Sequence, residues 1–209
     1  MSEERWIAVG AEGEASVVPD MAVVSLSVSG KGMELGPARD DVNARTSAVL
    51  ERLRELGVAD ADLNAPDVDI QPEYDHRRGG QRLLGYAATR RVTARVRALD
   101  GLGSVLDGAM AAGANEVHGA EMAASDPSAA EHQALSRAVE AARAKAEAIA
   151  AAAGVALGPL ARVEEADGPG MPQPRMRMMA IAESAGMPTE VAAGDLTVRR
   201  RIRAWFAIA

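Results

Sequence analysis

Three histidines, His76, His118 and His132, are the first residues to weigh for metal or acid–base chemistry. They read as lying on a loop, a strand and a helix. Two ligands from one helix need i, i+4 spacing, and no pair has it, so the set reads as structural or solvent-exposed. Asp67, Asp69 and Glu73 alternate along one strand face. The strand expected beside them carries Arg91, Arg95 and Arg97, and cross-strand ion pairs of about 0.2–1 kcal/mol each account for the carboxylates. Arg199, Arg201, Arg203 and Trp205 form a basic stripe with one aromatic on the last strand. Such a stripe suits an anionic ligand or nucleic acid, although base stacking usually takes several aromatics. Its other reading is a solvated sheet face, or an oligomer contact paired with a neighbour's carboxylates. Met171, Met176, Met178, Met179 and Met187 cluster in one segment. Thioethers bind Cu(I), but they also make adaptable interfaces, and with no His or Cys nearby the interface is preferred. Gly101-Leu102-Gly103 lacks the third glycine and Lys-Ser/Thr of a phosphate loop, and Ser104 lacks the flanks of a nucleophile elbow. No catalytic, cofactor-binding or metal-binding residue is assigned, and the chain reads as non-enzymatic.

The elements that position these groups follow from periodicity. Asp126 to Gly158 is the longest helical pattern. Asp126 or Ser128 can cap its start, Ser128 and Glu131 have capping-box spacing, and Gly154 with Pro159 marks its end. Its stripe is Leu135, Ala138, Val139, Ala142, Ala146, Ile149, Ala150 and Ala153, mostly alanine, so it can lie close to a sheet. Before it, Trp6 to Val18 reads as an edge strand with a bulge at Gly10 or Gly13. Met21 to Ser29 is a half-buried strand and Leu35 to Leu56 an amphipathic helix. Asp67 to Tyr74 and Leu84 to Val96 form a hairpin around HRRGGQR. Leu99 to Ala112 is a second helix and Ala114 to Ala124 a strand. Leu160 to Ala166 and Asp195 to Ala209 close the set. The span 21–124 has the order β-α-β-β-α-β, the split pattern. The expected class is α+β, a mostly antiparallel sheet with helices packed on one face. One domain is expected over 1–209, its core 17–166 and 195–209, with a Pro- and Met-rich loop at 167–194 proposed as an assembly arm.

Composition bounds the function. The 209 residues include 48% hydrophobic and only 2% aromatic residues, so the core must be built from Ala, Val, Leu and Ile. Cysteine is absent, which removes disulfides and thiolate chemistry. The net charge of −7 argues against a general nucleic-acid binder. No apolar run reaches the roughly 18 residues of a membrane span. The opening MSEERWIAVG has acidic residues and no apolar signal core, so a cytoplasmic location is expected.

Several stretches together resemble the SIMPL-domain family (domain of unknown function 541). They are GEASVVPDMAVVSLSV, the helix ending LRELGV, DVDIQPEYD, Gly85-Tyr86, GANEVHGAEM, and ALSRAVEAARAKAEAIAAAAGVALGPL. A last strand follows a Pro- and Met-containing loop, and the order spans nearly the whole chain. The resemblance implies a bacterial α/β protein that builds large ring or cage homo-oligomers. It implies links to the envelope or to oxidative stress, and it carries no catalytic residues. The expected function is a self-assembling protein of stress defence. The alternative is a binding module whose basic sheet face takes an anionic ligand or nucleic acid.

Overall fold

The computed structural model describes residues 5–75, 82–166 and 194–208, and the backbone of 173–174. The chain is α+β, with three helices and antiparallel strand pairing throughout the described residues. It divides into two compact units. Of the described residues, 5–19, 124–166, 173–174 and 194–208 build a terminal unit, and 20–75 and 82–123 an inserted unit. Each has its own sheet and its own buried cluster, so the single sheet expected from the sequence is replaced by two.

In the inserted unit the elements run β2 (Met21–Gly32), α1 (Leu35–Glu55), β3 (Leu63–Asn64), β4 (Asp69–Asp75), β5 (Arg82–Val96), α2 (Leu102–Ala111) and β6 (Glu116–Ala123). β2 lies between β5 and β6, and β5 also pairs with β3 and β4. The alternation of β2 puts Ala22, Val24, Leu26 and Val28 on a fully buried face. Ala88, Val92 and Ala94 of β5 join them, and Val42, Val49 and Leu53 of α1 and Leu102, Val105 and Ala109 of α2 cover them. The hairpin expected around residues 76–82 is present as β4 against β5. The ion pairs expected across it are not. Glu73 takes Lys31 at 2.5 Å, Asp69 accepts from the Gln71 amide, and Arg97 reaches Asp62. The register explains this: Asp69 faces Thr89 and Glu73 faces Gly85, leaving Arg91 and Arg95 beside Ser27 and Val23 of β2.

In the terminal unit β1 (Trp6–Val17) pairs with β9 (Leu196–Ile208), which also pairs with β7 (Leu157–Glu165) and β8 (Gln173–Pro174). The register of β1 on β9 is unbroken from Trp6–Ala207 to Val17–Leu196, so neither expected bulge forms. Gly13 serves another purpose. It faces α3 (Ser128–Ala153), whose backbone at Ala134 and Ala138 sits where a Cβ would project, with Ala138 N 2.5 Å from that position. The helix comes this close because its buried seam is alanine alone, at 130, 134, 138, 142, 146 and 150. A spacing of four advances about 40° per step around a 3.6-residue helix, so the seam winds. That winding leaves Val139 and Ile149, expected inside, exposed.

The helix ends are also specific. Asp126 caps the start by accepting the Ser128 N–H at 3.0 Å. The capping box does not close, because Glu131 turns instead to Arg200. Gly154 has the left-handed conformation expected of it, at φ 69°.

Candidate ligand face

Strand alternation sends two sets of β9 side chains to opposite faces. Val198, Ile202, Ala204 and Phe206 go under α3. Arg200 goes with them and is 5% exposed. A buried guanidinium needs partners, and it donates to Glu131 Oε1 at 2.5 Å and lies 3.5 Å from Glu165 Oε1. Its partners come from α3 and β7, distant in sequence.

Arg199, Arg201, Arg203 and Trp205 share the outer face, as alternation predicts. They are not a bare cationic strip. Glu14 and Glu12 of β1 face Arg199 and Arg201 in register, with Arg199 Nε donating to Glu14 at 2.7 Å and Arg201 Nη2 to Glu12 at 2.9 Å. The carboxylates anticipated from a neighbouring subunit are thus supplied by the next strand. Arg203 lies instead 5.8 Å from the Trp205 ring centroid, and Arg162 of β7, directly opposite Trp205, lies 5.0 Å from it. Arg162 also pairs with Glu164. Trp6, Ala161, Arg162 and Trp205 line a cleft of about 320 Å³.

Other candidate groups fall out differently. His118 Nε2 meets Ser27 Oγ at 2.6 Å, with Glu116 Oε2 3.9 Å from the same nitrogen. A serine nucleophile needs its acid on the far ring nitrogen and an open hydroxyl. Ser27 is 2% exposed, so this is a polar contact on the sheet and not a triad. His132 lies on α3, and His76 is outside the described residues. Among the described residues no group of three His, Asp or Glu side chains is placed to hold a metal. Met171, Met176, Met178, Met179 and Met187 lie outside the described residues, as does most of the proposed arm. No helix among the described residues is long and apolar enough to cross a membrane.

Asp62 and Arg97 form a pair whose pKa values are clearly shifted. Asp62 accepts a forked pair of bonds from Arg97, Nε to Oδ2 at 2.8 Å and Nη2 to Oδ1 at 3.0 Å. These bonds hold the Asp62 carboxyl below its ordinary value and raise Arg97. The pair ties the turn before β3 to the end of β5, which is a structural task.

The chain is similar to curated proteins along most of its length. It is 34% identical over 212 residues to a 26 kDa periplasmic immunogenic protein of Brucella abortus, covering 97% of this chain and 84% of the relative. It is 35% identical over 176 residues to the uncharacterized protein YggE of Edwardsiella ictaluri, covering 83% and 74%. The YggE of Escherichia coli K12 is 32% identical over 169 residues, covering 80% and 69%. The family model described as SIMPL, a protein of unknown function (DUF541), matches residues 7–206, across both units, and the chain therefore belongs to the SIMPL family.

Proposed function

We propose that the protein is a non-enzymatic, self-assembling member of its family, and that a second copy covers the end of the inserted unit's sheet. One observation carries this. Met33, Leu35, Tyr74, Leu83 and Leu84 are between 41% and 80% exposed. Met33 and Leu84 line one cleft of about 310 Å³, and Tyr74 faces Leu83 across the neighbouring hairpin. Soluble monomers seldom leave an apolar patch of this kind in water. Polar groups in the cleft wall are already satisfied, since Lys31 and Glu73 pair with each other there, so docking leaves no orphan charge. A second copy is the occupant because the chain's few large apolar side chains recur on an identical patch, which suits an isologous contact.

The cytoplasmic expectation finds no support among the relatives, one of which is named as periplasmic. We place this chain in the periplasm on that likeness. A part in stress defence rests on the family resemblance alone.

The test is the double substitution Met33→Glu and Leu84→Glu, read by sedimentation velocity. Two carboxylates per copy in the buried patch should shift the protein to a smaller species while its circular dichroism is kept. An unchanged sedimentation coefficient in a folded double variant would remove this patch from the assembly.

A further inference from the structure

We propose that the cleft beside Trp6 and Trp205 binds a small anion with a flat apolar body, an aromatic carboxylate in chemical class. The two indoles are all the tryptophan the chain has. Neither is placed in the buried clusters, because the inner face of this sheet is filled by Ile7, Val9 and Phe206 beneath α3. Their arrangement leaves room. Trp6 faces Ala207 and Trp205 faces Ala8, so the indoles sit one pleat apart on adjacent strands, each opposite a methyl group. Two alanines between two large rings make a floor and not a filled layer. Trp6 is 43% exposed, so one aromatic surface is open to a guest.

The charge beside this floor is positive. Arg162 and Arg203 both lie over the Trp205 ring, at 5.0 and 5.8 Å. A guanidinium laid on a ring keeps its N–H groups in its own plane, free to fork toward a carboxylate at the side. Arg162 shares its charge with Glu164. Glu164 stands opposite Arg203 in register but pairs with Arg162, so two guanidinium groups share one carboxylate here, unlike Arg199 and Arg201, which meet Glu14 and Glu12. The cleft therefore joins an open aromatic surface to Arg162 in its wall, with Arg203 on the Trp205 ring beside it. Its volume of about 320 Å³ suits one or two fused rings and is at the lower end for small-molecule sites. This site is separate from the apolar patch of the inserted unit and does not rest on the assembly reading.

The test uses the full chain and 2-naphthoate as probe, with 2-naphthamide and acetate as controls. Tryptophan fluorescence lifetime reads the site directly, because both emitting residues are in it, and calorimetry gives the affinity. Saturable quenching by naphthoate, at least tenfold tighter than by either control, is the expected result. Arg203→Gln should weaken naphthoate binding about tenfold or more. Equal binding of naphthamide, or no saturable response to naphthoate in the wild-type chain, would overturn the proposal. So would a folded Arg203→Gln variant that binds as tightly. The naphthamide comparison needs no variant, so it decides even if the substitution unfolds the protein.

Discussion

Asp62 and Arg97 show how a single residue pair sets a condition on stability. Folding lowers the Asp62 pKa through the forked bonds of Arg97. A depressed carboxylate stabilises the fold fully above its unfolded pKa, and that contribution fades as pH falls through the folded value. Asp62→Asn should therefore lower the melting temperature at neutral pH, and the gap from wild type should close as the pH is taken below the ordinary carboxylate range. A gap that stays constant down to acid pH would show that the charge plays no part. Gly13 is a second case. Alanine there would press against the backbone of α3, which cannot swing aside as a side chain can. Gly13→Ala should cost about 3 kcal/mol or more, the upper end of overpacking, seen as a lower urea midpoint. Neither role was legible. Asp62 drew no assignment and Gly13 was read as a bulge candidate, because each acts on residues far away in the chain. The outer-face residues of β9 were legible from alternation, but their partners Glu12 and Glu14 were not, since the strands are joined only by the fold.

At the scale of elements, local signals were read well. The limits of α1 and α3, the left-handed Gly154 and the β4–β5 hairpin all follow from periodicity and turn chemistry within a few residues. Pairing of the first strand with the last was missed, because alternation says which face is buried and not which strand lies alongside. The α3 seam was half read. Its alanines were identified, but Val139 and Ile149 were assigned inward by mixed spacing, whereas the sheet selects a strict four-residue repeat. Ala142 is fully buried, so Ala142→Leu should cost about 1–3 kcal/mol. An unchanged thermal melt would mean that the seam has room. The same helix guards the open edge of β1: Arg137 donates to the Glu14 carbonyl at 2.6 Å and Lys145 to that of Gly10 at 2.9 Å. Eight residues of helix and four of strand both span about 12–13 Å, so the two donors fall in step with the carbonyls. Side chains laid over these carbonyls hinder an added strand at those positions.

For the whole molecule, family membership was legible because many weak matches fall in order along the chain, and the family model spans them. The division into two units was not, since the terminal unit is assembled from both ends of the sequence. Surface chemistry gives the same picture in both units. Arg199 and Arg201 of β9 are matched by carboxylates of β1, and in the inserted unit Met33 and Leu84 form an exposed apolar patch around one cleft. A chain of this kind is expected to gain stability by covering that patch with a copy of itself. The direct measurement is the native mass of the full chain by light scattering across a concentration series. The account predicts a particle whose mass is a whole-number multiple of the 21.7 kDa chain and holds as the protein is diluted into the micromolar range. A mass of one chain at every concentration would contradict it.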